Sequence, residues 1–156
     1  MVGNEYKFLG AKDDITSNYY IANLLNKALP NSVNFKKVKC YALCKNNEPL
    51  VAWAFHDGKI YTDSDGEFKE GQVSIAAFDK KWRPFSTVRL ILSLFFNDKG
   101  YNRLTAVTHI NNRQAVRLVN FVGFTLEGII RRPADIGNLM QFSLLKTDWE
   151  KGRFYG

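Results

Sequence analysis

Two histidines, two cysteines and a basic loop are the residues of this sequence with the most obvious potential for chemistry. Neither His56 nor His109 has a neighbouring pattern of metal ligands, so the spacing does not favour a zinc site. Cys40 and Cys44 lie in a segment with the alternation of a strand, where four steps span about 13 Å. That distance is too long for a disulfide. We therefore expect reduced thiols in the core, as is usual for a cytoplasmic protein.

The basic loop precedes the clearest helix of the sequence. Lys80, Lys81 and Arg83 form the densest local group of cations, and the helix opens with Ser86 and Thr87. A helix N-terminus leaves backbone N–H groups unpaired and carries partial positive charge. A loop that wraps these donors makes a phosphate site. On the residues alone, a solvated basic loop with a serine cap is an equally good interpretation.

Length and composition limit the class of protein. The chain has 156 residues, which favours one domain over 1–156, and 46% of them are hydrophobic. The longest apolar run, Leu90–Phe96, is interrupted by Ser93 and is far shorter than the ~18 residues of a membrane span. The first residues lack the apolar block of a signal peptide. These features predict a cytoplasmic protein that does not enter a membrane.

The formal net charge of +7 points to an anionic partner without identifying it. The charges are scattered, and no basic run reaches five residues. A nucleic-acid-binding function would rest on this charge alone, so the sequence does not favour it. The sequence also lacks a G-x-S-x-G elbow, a Walker-type loop and a G-x-G-x-x-G fingerprint.

The elements that must position these residues follow the order β-α-β-β-β-β-α-β-α-β-β, which predicts a mixed α/β sheet covered by helices. Asn46-Asn47-Glu48-Pro49 predicts a turn, the Asp57-Gly58 pair a tight hairpin, and Asp63–Gly71 a polar loop. Ser86 is the predicted N-cap of the second helix, which Gly100 closes. The predicted strands are Tyr6–Leu9, Val38–Cys44, Leu50–His56, Ile60–Thr62, Gln72–Phe78, Arg103–Ile110, Thr125–Arg131 and Leu139–Leu145, and the predicted helices are Asp13–Leu29, the segment from Ser86 and the segment Asn112–Val122.

The stretch Asn111–Arg132 carries a longer pattern, N-N-R-Q-A-V-R-L-V-N-F-V-G-F-T-L-E-G-I-I-R-R. It resembles the hallmark N-x-x-[AS]-x-x-h-h-x-x-h-G-F-x-x-E-G-x-h-R (h, apolar) of the GCN5-related N-acetyltransferase (GNAT) superfamily. The resemblance covers roughly Val73–Trp149. Within the superfamily the chain is most similar to ribosomal-protein-type and small-molecule acetyltransferases and to compact phage-encoded members. The matching residues are Asn112, Ala115, Leu118, Val119, Val122, Gly123, Phe124, Glu127, Gly128 and Arg131.

The resemblance implies a single GNAT-like domain with a central, mostly antiparallel sheet and helices on both faces. Strands Gln72–Phe78 and Arg103–Ile110 would be adjacent, parallel and splayed at one end, with the pantetheine arm of acetyl-CoA in the splay. The pyrophosphate would lie on the 81–87 loop, and a backbone N–H near Phe78 would stabilise the oxyanion. The implied cofactor-binding residues are Phe78, Lys81, Arg83, Ser86, Thr87 and Asn112.

The resemblance also directs attention to His109 as the general base, because it lies near the end of the strand that lines the expected cleft. A polar residue at a strand end remains the alternative interpretation. Glu127 is a marker of the family for which we expect a structural role. The tyrosine that many members use as an acid is replaced by Val119.

Two functions follow. The first is an acetyl-CoA-dependent N-acetyltransferase that acts on an amine of a small molecule or a protein. The alternative is a catalytically silent GNAT-fold protein of phage origin, which would serve as a virion component or bind a host protein. The alternative draws on the loop, where Lys81–Ser86 has neither glycine of the family's [QR]-x-x-G-x-[GA] and Pro84 has no N–H. The acceptor and the oligomeric state are not encoded in any pattern that we recognise.

Overall fold

The structure is a computed structural model that describes residues 6–10, 15–29, 35, 38–79 and 85–155. Of residues 6, 15–17, 85 and 86 it describes the backbone only. The chain divides into two compact units. The first consists of Met1–His56 and Val73–Pro84, and the second of Asp57–Gln72 and Phe85–Gly156. The prediction of one domain over 1–156 therefore stays a prediction.

Within the described residues, seven strands and four α-helices follow one another in nearly the predicted order. The strands are β1 (Tyr6–Leu9), β2 (Cys40–Lys45), β3 (Glu48–Asp63), β4 (Gly66–Ala77), β5 (Arg103–His109), β6 (Thr125–Ile130) and β7 (Leu139–Leu145). The helices are α1 (Ile15–Ala28), α2 (Phe85–Ser93), α3 (Arg113–Val122) and α4 (Lys146–Glu150), and α2 continues as one π-helical turn over Leu94–Asp98. No helix in the described part of the chain is long and apolar enough to cross a membrane.

The described strands form one mixed sheet in the order β1-β2-β3-β4-β5-β7-β6. The pairs β1–β2, β2–β3, β5–β7 and β6–β7 are antiparallel, and β4–β5 is parallel. The parallel ladder joins Glu70–Gln72 to Arg103–Thr105. These findings confirm the predicted fold class and the predicted parallel pair. The predicted splay lies beyond this ladder, where the two strands belong to different units, and it stays a prediction.

The first unit is built on a tight hairpin and an alanine-rich core. Asn46 and Asn47 both have positive φ, 52° and 68°, which is the backbone of a two-residue type I′ turn between β2 and β3. Asn18 on α1 binds the start of β2, because its Oδ1 accepts from the N–H of Cys40 at 2.7 Å and its Nδ2 donates to the carbonyl of Val38 at 3.1 Å. The core cluster comprises Ile21, Ala22, Leu25, Phe35, Cys40, Ala42, Ala52, Ala54 and Ala76.

The predicted hairpin at Asp57-Gly58 is wrong, and so is the predicted loop Asp63–Gly71. Strand β3 continues through this pair to Asp63, and the turn lies at Ser64 and Asp65. The signal was misleading because Asp57 does adopt a turn-like φ of 53° inside the strand. Gly58 is required for packing, since a β-carbon there would lie 2.5 Å from the hydroxyl oxygen of Tyr101.

The second unit buries one face of its strands against aromatic side chains. Leu104, Phe142 and Leu144 are almost inaccessible to solvent. Phe95 stacks on Tyr101 with ring centroids 4.6 Å apart, and Phe96 stacks on Trp149 at 5.0 Å. The predicted apolar face of α2 is confirmed, because its five members are buried: Val88, Ile91, Leu92, Phe95 and Phe96.

Both cysteines are buried free thiols, as predicted. Burial raises the pKa of the Cys40 thiol to about 11. Its Sγ donates to the carbonyl oxygen of Phe35 at 3.3 Å. The thiol is therefore protonated and inert at neutral pH, which matches a packing role.

Candidate active site

The backbone donors near Phe78, at the end of β4, are already occupied in the first unit. The N–H of Phe78 donates to the carbonyl of Leu50 at 2.8 Å, and the N–H of Asp79 donates to the same oxygen at 3.3 Å. The Phe78 ring is 40% exposed. The predicted oxyanion donor near this residue is therefore not a free N–H, and it becomes available only if the Leu50 carbonyl is released. The ring, in contrast, is accessible to a ligand.

Only part of the predicted phosphate loop lies within the described residues. Lys81 and Arg83 lie outside the described residues, and so does the side chain of Ser86. Helix α2 begins at Phe85, so Ser86 lies within its first turn, and the predicted N-cap at Ser86 is wrong by at least one position. Thr87 is buried, with 6% of its surface exposed, and its contact with a cofactor stays a prediction.

His109 has both ring nitrogens engaged by the backbone of the second unit. Its Nδ1 accepts from the N–H of Asn111 at 3.1 Å, and its Nε2 lies 3.0 Å from the carbonyl oxygen of Ile136. Because a carbonyl can only accept, Nε2 carries the proton, and the neutral imidazole has no second lone pair to offer. Taking a proton at Nδ1 would break the bond to Asn111. The geometry therefore favours a role in fixing the 131–138 loop over the predicted role as a base, which stays a prediction.

Asn112 caps α3 in the manner expected of an N-cap asparagine. Its Oδ1 accepts from the N–H of Ala115 at 3.1 Å. Gly123 ends the helix in the left-handed region at φ 108°, and its N–H returns to the carbonyl oxygens of Val119 and Asn120. The predicted helix and both of its ends are confirmed. The Asn112 oxygen has a structural function, and contact with a cofactor stays a prediction.

Glu127 belongs to an ion cluster around Arg103. Nη1 of Arg103 donates to Glu127 Oε2 at 2.8 Å, and Nη2 contacts Oε1 of the same carboxylate. Nε of Arg103 lies 3.0 Å from Glu70 Oε2 without the alignment of a hydrogen bond, and Tyr61 donates its hydroxyl to Glu70 Oε1 at 3.0 Å. The hydrogen bond from Arg103 lowers the pKa of Glu127. The cluster spans β4, β5 and β6 and supports the structural role expected for Glu127.

Sequence reasoning missed a pair of side chains in the first unit. His56 on β3 places Nε2 2.7 Å from Oγ of Ser74 on β4. His56 is 6% exposed, whereas Ser74 is half-buried. A serine hydroxyl within hydrogen-bond reach of an imidazole is the arrangement in which a proton can pass between the two. The contact could not be predicted because it depends on the position of the turn between β3 and β4, and the Asp57-Gly58 pair predicts that turn in the wrong place.

A metal centre has no support in the described part of the chain. No group of three or more histidine, cysteine, aspartate or glutamate side chains lies close enough together there to hold an ion.

Comparison with solved structures identifies the fold. The chain is similar to spermidine N-acetyltransferase from Vibrio cholerae, with a TM-score of 0.66 and 11% identity over 94% of this chain and 95% of that one. It is similar to an aminoglycoside acetyltransferase in complex with coenzyme A and kanamycin, with a TM-score of 0.62 and 15% identity over 96% and 99% of the two chains. An acetyltransferase from Salmonella typhimurium with acetyl-CoA gives a TM-score of 0.61 and 14% identity over 90% and 93%.

The likeness at such low identity establishes the GNAT fold and not the reaction. No protein-family model matches the chain, and no curated protein matches it either. Nothing in the comparisons supports the predicted resemblance to phage-encoded members.

Proposed function

We propose that the protein is an acetyl-CoA-dependent N-acetyltransferase that acts on an amine of a small molecule or a protein. The observation that carries the proposal is the likeness over 90% or more of the chain to acetyltransferases, among them one with acetyl-CoA and one with coenzyme A and kanamycin. The confirmed parallel β4–β5 ladder and the capped α3 helix support it. These features also agree with the resemblance carried by Asn112–Arg131.

The residue types on the way from β4 to α2 fit a phosphorylated co-substrate. Strand β4 ends at Ala77 and helix α2 begins at Phe85, so the connection is short and leads into a helix N-terminus. The first-turn N–H groups of such a helix are donors for a phosphate. The connecting sequence contributes Lys80, Lys81 and Arg83. In this proposal the cations compensate for the glycines that the loop lacks.

The reaction forms a bond between the amine nitrogen and the acetyl carbon and breaks the bond from that carbon to the sulfur of coenzyme A. The protein has to hold the thioester, orient the amine and accept a proton from the substrate ammonium. Phe78 supplies an exposed ring at the end of β4. An oxyanion donor at the Phe78 or Asp79 N–H requires the Leu50 carbonyl to move away on binding, because that oxygen holds both groups.

Acetyl-CoA binding and acetyl transfer test the proposal directly. Calorimetric titration should show binding of acetyl-CoA, and release of free coenzyme A should be measured with spermidine, kanamycin and a peptide with a free N-terminus as acceptors. Binding together with amine-dependent release supports the proposal. No binding heat, no shift in melting temperature and no release at millimolar acetyl-CoA would overturn it.

Arg83→Ala is the sharpest variant for the cofactor site. Loss of a charge-assisted contact with phosphate should weaken binding of acetyl-CoA by roughly 10- to 100-fold, corresponding to about 1–3 kcal/mol. Lys151→Ala, at an exposed position after α4, removes the same charge elsewhere and should leave binding unchanged. Equal effects of the two variants would show that only the net charge matters and that the loop holds no phosphate.

The alternative, a catalytically silent GNAT-fold protein of phage origin that binds a virion or host protein, is tested by the same titration. Its support is the absence of both glycines from Lys81–Ser86. Absence of acetyl-CoA binding, or binding without turnover of any amine, would favour this alternative over the enzyme.

A further inference from the structure

His56 and Ser74 form a hydrogen-bonded pair within the first unit, on the face of β3 and β4 that carries the core cluster. Nε2 and Oγ are 2.7 Å apart. Ala54 lies two residues before His56 on β3, and Ala76 lies two residues after Ser74 on β4. Side chains two residues apart on a strand lie on the same face of the sheet, and both alanines are buried. The Phe35 ring meets the imidazole edge-on, with centroids 6.1 Å apart. The imidazole thus lies beside small and apolar side chains and contacts the hydroxyl of Ser74.

A difference in exposure gives the pair a direction. The imidazole is 94% removed from solvent, whereas the serine is only half-buried. Ser74 is therefore the more exposed member of the pair. A hydroxyl can donate one hydrogen bond and accept others at the same time, so it can pass a proton inward as it receives one.

The two histidines of the chain differ in what they can do with a proton. The nitrogens of His109 contact a backbone N–H, which can only donate, and a backbone carbonyl, which can only accept, so neither partner can relay protons. Nε2 of His56 contacts a side-chain hydroxyl that does exchange them. His56 therefore has a side-chain partner that can relay a proton, and the printed partners of His109 cannot.

We propose that Ser74 and His56 form a proton relay that takes the proton from the acceptor ammonium, an inference that rests on the proposed acetyltransferase function. Ser74 belongs to the segment Gln72–Phe78, which that function assigns to the acetyl-CoA arm. The ammonium gives a proton to Ser74 Oγ while the serine proton moves to Nε2 of His56, which becomes imidazolium. The neutral amine attacks the thioester carbonyl, and the C–S bond breaks as the C–N bond forms. The second amine proton leaves with the coenzyme A thiolate, and the imidazolium later returns its proton to solvent.

A matched pair of variants isolates the hydroxyl. Ser74→Thr keeps it and Ser74→Val removes it, while both carry the same branched shape. With any amine that is turned over, Ser74→Val and His56→Gln should lower kcat by roughly 10²-fold or more, and Ser74→Thr should retain most of the activity. The KM for acetyl-CoA should be unchanged in all three, because the relay does not hold the cofactor. Thermal melting of each variant confirms that it is folded.

A second measurement needs neither acetyl-CoA nor an amine. The relay requires Ser74 to donate to Nε2, so the proton of neutral His56 must lie on Nδ1. Nitrogen-15 spectra of the imidazoles should therefore show His56 and His109 as opposite tautomers, since His109 carries its proton on Nε2. His109→Gln assigns the two sets of signals, and Ser74→Val should shift Nε2 of His56 only.

The outcomes separate the relay from the proposed function. If no amine is acetylated but His56 has a bare Nε2 that responds to Ser74→Val, the acetyltransferase proposal fails while the hydrogen-bond direction stands. If amines are acetylated and Ser74→Val keeps wild-type kcat, the relay is overturned and the acetyltransferase remains. A proton on Nε2 of His56 overturns the relay in either case.

Discussion

The His109 imidazole occupies the space into which a side chain on Gly137 would extend. A β-carbon at Gly137 would lie 2.6 Å from Nε2 of His109, and the glycine has a φ of 76°. The same loop is held by Arg132, whose Nε donates to the carbonyl of Gly137 at 2.7 Å and whose Nη2 donates to that of Ile136 at 3.2 Å. His109, at the end of β5, and Arg132 therefore both contact backbone carbonyls of the 131–138 loop.

Gly137→Ala should lower the free energy of unfolding by more than the cost of placing alanine at a positive φ. Gly100→Ala is the matched control, because Gly100 has a φ of 70° and nothing within 4 Å of its added β-carbon. The control should cost about 1–2 kcal/mol of unfolding free energy from the left-handed backbone. Gly137→Ala should add roughly 1–3 kcal/mol, because the imidazole must shift. Equal costs in chemical denaturation would mean that the ring moves aside freely.

His109→Ala should weaken the fold more than the reaction. The variant loses the bonds to Asn111 and Ile136 and should lose on the order of 1–2 kcal/mol of stability. The kcat of the folded variant should stay close to that of the wild type. A fall of roughly 10²-fold in kcat with an unchanged melting temperature would instead establish His109 as the base predicted from the sequence.

Arg103→Met should destabilise the second unit by about 1–3 kcal/mol, because it leaves Glu70 and Glu127 without their shared cation. Adding Glu127→Gln should recover part of the loss, since it removes one of the two like charges. A double-mutant cycle measures the coupling. Additive effects would show that the ion pair adds nothing to stability.

The Arg103–Glu127 ion pair makes the free energy of unfolding depend on pH in the acid range. Arg103 holds the pKa of Glu127 below the ordinary carboxyl value of 4.5. A carboxyl group with a lower pKa in the folded state stabilises the fold at pH values above its unfolded-state pKa. This contribution is lost as the pH falls through the folded-state pKa. Wild type should therefore lose more stability than Arg103→Met on acidification below about pH 4.5.

Cys40 should make the fold sensitive to alkali instead. Its pKa is raised from 9.0 to about 11, so the folded state keeps a proton that the unfolded state loses. The resulting stability is complete below pH 9 and is lost as the pH rises toward 11, by up to about 3 kcal/mol. Cys40→Ala in a Cys44→Ala background should show a flatter loss than Cys44→Ala alone. Rapid alkylation of native Cys40 at pH 9 by iodoacetamide would contradict the burial argument.

The parts of the fold that the sequence predicted well are those fixed by local chemistry. Helix α3 was predicted almost to the residue, because Asn112 can cap it within three residues and Gly123 can end it at positive φ. The Asn46-Asn47 turn has the same local character. Each signal lies beside the structure that it specifies, so no knowledge of the tertiary fold is needed.

The parts that could not be predicted depend on residues far apart in the chain. Asp57-Gly58 carries turn chemistry, yet Gly58 serves the packing of Tyr101, which follows only after β4 and α2. His56 lies eight residues before the turn at Ser64 and Asp65 and Ser74 nine residues after it, so their contact depends on how β3 pairs with β4. The contact between His56 and Ser74 therefore could not be predicted from the sequence.

Each compact unit contains a buried tryptophan, so tryptophan fluorescence can follow the two units separately. Trp53 in the first unit is fully buried, and its Nε1 has no hydrogen-bond partner in the described part of the chain. Trp149 in the second unit is buried too, but its Nε1 donates to the carbonyl of Phe154 at 3.1 Å. With the third tryptophan changed by Trp82→Phe, and either Trp53 or Trp149 changed as well, fluorescence during denaturation would follow one unit at a time. Coincident curves would mean that the two units melt as one cooperative body, and separate curves would reveal an intermediate in which only one of them is ordered.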